Sequence, residues 1–175
     1  DLVTKEIHLT LSGVSGNITS DVDQDLLKVA AIDRQNERGK IFVGLVKGFG
    51  LKSGAFASSA AWDSSDIIVI GANEPDMASA VNRIHTLQGG YVLCDNDQIV
   101  AEVPLPIWGL ISDRDAKELV SQISLLKKAL KERGVSFPDP LLTIITLTGA
   151  AIPFFRICEE GYFDLKNGTA KGVYV

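Results

Sequence analysis

Residues 46–73 read Val-Lys-Gly-Phe-Gly-Leu-Lys-Ser-Gly-Ala-Phe-Ala-Ser-Ser-Ala-Ala-Trp-Asp-Ser-Ser-Asp-Ile-Ile-Val-Ile-Gly-Ala-Asn, and the reading of this stretch decides the fold. Lys47 and Lys52 lie among glycines, a run of small residues follows from Gly54 to Ala61, and a polar knot, Trp62-Asp63-Ser64-Ser65-Asp66, abuts the apolar segment Ile67 to Ile70. Glycine and serine bury little apolar area and leave polar groups that need partners, so such a run is not an ordinary core strand. Its composition implies that something approaches this backbone closely: a ligand, another strand or another domain.

On the C-terminal side, Ile67 to Ile70 is a buried strand and Gly71-Ala72-Asn73-Glu74-Pro75-Asp76 opens a helix. Asn73 suits the cap, Pro75 the first turn, and the acids the positive end of the helix dipole. Met77, Ala80, Val81, Ile84 and Leu87 repeat at helical spacing, and Gln88-Gly89-Gly90 ends the helix. Tyr91 to Cys94 and Ile99 to Val103 form a hairpin around Asp95-Asn96-Asp97. The prolines of Pro104-Leu105-Pro106 make the segment through Leu110 extended but unsuited to a central strand. Ser112 or Asp113 caps a long helix with the apolar stripe Ala116, Leu119, Val120, Ile123, Leu126 and Leu130, which Gly134 stops. Leu141 to Leu147 fits either a helix or a buried strand. Phe154 to Cys158, Tyr162 to Leu165 and Gly172 to Val175 read as short strands.

On the N-terminal side, Val3 to Leu11 alternates with the period of a half-buried strand. Leu26 to Ile32 and Ile41 to Lys47 are strands joined by a charged loop, Arg34 to Lys40. The expected fold class is therefore α+β: roughly ten short strands in one or two mixed sheets, with two clear helices and a third if Leu141 to Leu147 is helical.

At 175 residues with 46% hydrophobic content, the chain suits one domain, residues 1–175, with a full core. Seventeen basic against 22 acidic residues, a net charge of −5, and no basic run argue against nucleic acid as a partner. No stretch of about 18 apolar residues is present, so neither a membrane span nor a signal peptide is expected. Cys94 and Cys158 fit no paired metal spacing and read as reduced core thiols of a cytoplasmic protein. The chain begins with Asp1 and moves almost at once into a strand pattern, as a piece of a longer polypeptide would.

The inventory of chemistry is short. A hydrolytic metal site needs three or four converging ligands, and His8, on a strand, and His85, on a helix, have no partner at ligand spacing. No Gly-x-Ser-x-Gly elbow exists, and neither cysteine has an activating neighbour. Gly71 could hold an anion at the helix start or simply let strand and helix pack. Lys47 and Lys52 are solvated, or meet an anionic ligand or a partner carboxylate. Asp63 is a turn carboxylate or a site acid. Trp62 and Trp108 are interface or core aromatics.

Several segments in register carry a family resemblance. Lys47-Gly48-Phe49-Gly50-Leu51-Lys52-Ser53-Gly54-Ala55, Ala57-Ser58-Ser59, Asp63-Ser64, Ile67 to Gly71, Asp76-Met77-Ala78 and Ala80-Val81-Asn82 resemble the C-terminal domain of bacterial and archaeal adenine deaminases. So do Gly89-Gly90, Leu105-Pro106-Ile107 with Gly109-Leu110 and Ser112-Asp113, Asp139-Pro140, and Gly161 to Asp164. The resemblance implies a parent enzyme of the amidohydrolase superfamily that converts adenine and water to hypoxanthine and ammonia. It would use a water activated by divalent manganese or iron in an N-terminal barrel. The implied partner is that barrel, with a homo-oligomer also open; this chain would hold no cofactor and not be catalytic alone. The candidate interdomain or substrate-facing residues are Lys47, Lys52, Ser58, Ser59, Trp62, Asp63, Ser64 and Ser65, with the loops from Lys47 to Ser65 turned toward the barrel. After the paired serines the family pattern reads His-Asp-Ser-His, whereas here Trp62 and Ser65 stand at the histidine positions. The alternative is a non-catalytic binding or structural module that keeps the fold without the histidine motif.

Overall fold

A computed structural model describes residues 3–9, 18–37, 39–151 and 154–173. In chain order the elements are β1 (Leu26–Ile32), β2 (Ile41–Lys47), β3 (Ala55–Ser58), β4 (Ile67–Gly71), α1 (Glu74–Leu87), β5 (Gly90–Asp95), β6 (Gln98–Pro104), α2 (Ala116–Glu132), α3 (Pro140–Thr146), β7 (Phe155–Cys158), β8 (Gly161–Asp164) and β9 (Thr169–Lys171). This is the expected α+β class. One sheet has the strand order β2-β1-β4-β3-β5-β6 and a second has β7-β8-β9.

Every pairing between these strands is antiparallel, so the sheets are not mixed. The loops that join β1 to β2 and β5 to β6 are far shorter than a parallel crossover requires. The β5–β6 turn places Asn96 and Asp97 both at positive φ, 52° and 59°, the conformation that matches the twist of a two-residue hairpin. Nine strands form among the described residues, against the ten expected. The N-terminal alternation yields only an isolated parallel bridge from Thr4 to Phe154, and Thr10 and Leu11 lie outside the described residues.

The small-residue run is explained largely from within the fold. Strand β3 is short and central, and its two faces differ. Ala55 and Ala57 face α1 together with Ala30, Val69, Val92 and Cys94, where Met77, Ala80 and Ile84 of the helix pack onto them. Small side chains let the helix lie close to the sheet, and a Cβ at Gly71 would collide with Met77. Close packing of α1 on the sheet thus accounts for this glycine. The other face carries Leu27, Val29, Phe56, Ile68, Ile70, Leu93 and Val103 against Leu126 and Leu130 of α2 and Ile144 of α3. Burying a side chain of this size contributes about 1.5–3 kcal/mol, so these two layers dominate the stability.

The helix boundaries follow local chemistry. Asn73 caps α1 as expected, accepting from the Asp76 amide, and Gln88 closes it in the left-handed conformation. Helix α2 starts later than the sequence suggests: Asp115, not Ser112 or Asp113, accepts from the Lys117 and Glu118 amides. Its buried residues are Leu126, Ala129 and Leu130, whereas Val120 of the expected stripe is exposed. Leu141 to Leu147 resolves as helix, because Asp139 accepts from the Leu142 amide and nucleates the turn. The last strand is β9, ending before the expected Gly172–Val175, of which Tyr174 and Val175 lie outside the described residues.

The small sheet docks on the edge of the large one through Tyr162 of β8. Its hydroxyl accepts from the Leu45 amide at 2.5 Å and donates to the Leu45 carbonyl at 2.7 Å. The ring meets Phe42 edge-on at 4.9 Å, and a Cβ at Gly44 would clash with the hydroxyl. One tyrosine thus satisfies part of an edge strand that would otherwise be open to pairing.

Candidate functional site

The eight candidate residues fall at two ends of the large sheet. Leu26 of β1 pairs with Lys47, whereas Ile32 at its other end pairs with Ile41 and Ile67. A seven-residue strand spans about 20 Å, so Lys47 and the turn that precedes Ile67 are held far apart. Lys52 lies at the same end as Lys47. It is exposed, and its Nζ donates to the Val22 carbonyl at 2.7 Å. The lysines and the Trp62–Ser65 turn thus lie at opposite ends of the strands.

Ser58 and Ser59 are fully buried beneath the turn. The Ser58 hydroxyl accepts from the Ala60 amide at 3.0 Å. The Ser59 hydroxyl accepts from the Gly90 amide and donates to the Gly109 carbonyl, both at 2.8 Å. Both serines brace backbone and neither is free to meet a ligand.

Above them, residues 61–66 form a tight polar turn. The Ser65 amide donates to the Ala61 carbonyl at 3.1 Å, with Ser65 itself at φ 61°. Asp63 is exposed, and its carboxylate accepts from the Ala150 amide at 2.6 Å. Ser64 accepts weakly from the Asp66 amide at 3.4 Å. Trp62 projects outward with 64% of its surface exposed.

Two charged residues that the sequence did not single out organise this end of the sheet. Arg34 spreads one guanidinium over three carbonyls, those of Ser65 (2.5 Å), Trp108 (3.0 Å) and Ser59 (3.3 Å). It ties the polar turn to the 107–111 turn, where Gly109 leaves room that a Cβ would take from the guanidinium. Asp66 is wholly buried, and no hydrogen bond of good geometry reaches either carboxylate oxygen; the Ser64 hydroxyl and Glu159 are its polar neighbours. Burial first, and then the neighbouring Glu159 charge, push its pKa up from 3.8 to about 6. Arg34 is pulled down by its own burial and partly restored by the Asp66 charge. Arg34 was hidden because it opens a loop with no periodicity; Asp66 was visible only as one more polar residue of the knot.

Nothing in this arrangement pairs a nucleophile with a base. Cys94 and Cys158 are buried free thiols, and burial raises both, Cys94 to about 11. His8, in the irregular N-terminal segment, and His85, on α1, are both exposed. Among the described residues no three His, Cys, Asp or Glu side chains converge so as to hold a metal ion. The donor set here does not fit the metal centre of a hydrolase. No described helix is long and apolar enough to cross a membrane.

Fold and site together define an α+β domain that presents a braced polar turn and outward tryptophans. The chain belongs to the adenine deaminase C-terminal domain family, whose sequence profile matches residues 1–169. It is 38% identical over 175 residues to an adenine deaminase of Kosmotoga olearia, covering 100% of this chain and 30% of that protein. An adenine deaminase of Moorella thermoacetica is 37% identical over 161 residues, 92% of this chain and 27% of the relative. One of Methylobacterium nodulans is 38% identical over 164 residues, 94% of this chain and 29% of the relative. The chain thus spans less than a third of these relatives' length.

Proposed function

We propose that this chain is the C-terminal domain of a cytoplasmic adenine deaminase-type hydrolase, and that it packs on an N-terminal metal-dependent barrel and helps to shape that barrel's site. The observation that carries the reading is the family match along residues 1–169 by a chain equal to only 30% of a full-length relative. The parent reaction is hydrolytic deamination of adenine to hypoxanthine and ammonia. Divalent manganese or iron would belong with the barrel, where a metal-activated water needs three or four converging ligands. Trp62, Asp63, Ser64 and Ser65 are the residues turned toward the barrel, with Ser58 and Ser59 bracing them from below. Lys47 and Lys52, at the other end of the sheet, are left to a second contact, such as that between subunits.

The full-length protein, loaded with manganese or iron, is expected to release ammonia from adenine, and the isolated chain to release none with any metal. Turnover by the isolated chain would overturn the placement of the metal centre. One observation favours a second reading. Trp62 is exposed and Ser65 is engaged only through its backbone, so neither supplies the imidazole that the family pattern has there. If the full-length protein turns over neither adenine nor related aminopurines, a non-catalytic module that retains the fold is the reading that stands.

A further inference from the structure

Two exposed tryptophans share one end of the sheet. Trp108 is 79% exposed and Trp62 64%, and Arg34 binds the Trp108 carbonyl and that of Ser65, three residues from Trp62, with one guanidinium. The two turns are thereby locked side by side. Trp108 also has φ 62°, a left-handed backbone that costs a bulky residue about 1 kcal/mol or more. A chain that pays this strain to hold an indole in water gains nothing from it in isolation. Ile107, Ile111 and Phe154 add exposed apolar surface, Ile111 at 58% and Phe154 at 50%. Large exposed apolar patches of this kind mark contact surfaces.

The path of the chain identifies the occupant. Phe154 donates its amide to the Thr4 carbonyl at 3.3 Å, so the N-terminal segment runs beside it. Phe154 is four positions along the chain from Ala150, whose amide binds Asp63, the neighbour of Trp62. Four residues reach at most about 14 Å. The N-terminal segment is thus linked to the Trp62 turn through residues 150–154, and the relatives carry more than two thirds of their length outside the matched part.

We propose that Trp62 and Trp108, clamped by Arg34 and flanked by Ile107 and Ile111, form the surface on which the preceding domain of the same polypeptide packs. This rests on the reading that the chain is the C-terminal part of a longer protein. The indole faces fill an apolar patch on that domain, and the indole N–H groups seek its backbone or carboxylate acceptors.

Hydroxyl-radical footprinting of the full-length polypeptide tests the surface. Leu125 of α2, 61% exposed, is the internal standard. Indole oxidises more readily than an alkyl side chain, so uncovered tryptophans would react faster than Leu125 and covered ones no faster. The expected result is Trp62 and Trp108 at or below the rate of Leu125, independent of protein concentration. In addition, a Trp62→Ser/Trp108→Ser variant of the full-length protein is expected to be cut roughly tenfold faster by protease at the junction before Val3, as loss of two buried interface aromatics requires. Tryptophans that outpace Leu125 overturn the proposal, as does protection that vanishes on dilution, which would mark a second copy as the occupant. Ammonia release from adenine, measured on the same preparation, separates the two readings. Covered tryptophans without release leave this surface standing and remove the activity, whereas release with uncovered tryptophans does the reverse.

Discussion

Replacing Asp66 by asparagine should stabilise the folded chain at neutral pH, the reverse of what most substitutions of a fully buried residue do. The carboxylate is fully buried, no hydrogen bond of good geometry reaches either oxygen, the nearby Ser64 hydroxyl only partly offsets the burial, and Glu159 adds a second negative charge. The folded-state pKa of about 6 lies above the ordinary 3.8, so the folded chain keeps the proton at pH values where the unfolded chain has released it. The contribution of this group is most favourable below pH 3.8, declines as pH rises toward 6, and is a constant deficit above that. The difference between 3.8 and about 6 corresponds to roughly 3 kcal/mol at about 1.4 kcal/mol per pKa unit. Arg34 reduces the gain from substitution, since its partly buried charge loses the support of the Asp66 anion. Urea unfolding of wild type and Asp66→Asn, followed by circular dichroism from pH 4 to pH 8, should show the variant gaining about 1–3 kcal/mol relative to wild type across that range. A difference that stays flat with pH, or a variant that loses ground as pH rises, would refute the reasoning and show that Asp66 is held charged by a partner.

Arg34→Ala should cost about 2–4 kcal/mol, since it leaves three carbonyls without a charged donor, and thermal unfolding would read the loss. Arg34→Lys should recover less than half of it, because an ammonium cannot fork across acceptors on two turns. Tyr162→Phe removes both bonds to Leu45 and should cost about 1–2 kcal/mol, with faster hydrogen exchange at the Leu45 amide as the specific sign that the small sheet has loosened from β2.

Much of the fold was legible because its signals are local. The cap and first turn of α1, the hairpin at Asn96-Asp97 and the apolar runs of β1 and β4 each depend on residues within a few positions of one another. The ambiguity of residues 141–147 had the same origin in reverse: Thr, Ile and Leu suit both structures, and the Asp139 cap decides for helix only once its carboxylate is seen to bind the Leu142 amide. The expectation of mixed sheets failed because strand direction depends on which strands become neighbours, and no residue pattern encodes that β4 lies between β1 and β3.

The candidate site divided along the same line. By itself the sequence determined that the small residues around β3 need something to approach closely, and that Trp62 and Ser65 stand where the family pattern has histidines. Only the tertiary structure decided what the small residues serve, because the closeness of α1 to Ala55, Ala57 and Gly71 is a contact between elements. It also separated Lys47 and Lys52 from the Trp62 turn by the length of a strand, although they are near neighbours along the chain. Arg34 and Asp66 acquire their roles from carbonyls and charges supplied by residues 25 to 93 positions away. Partnership and burial over such separations are properties of the fold, and no local pattern records them.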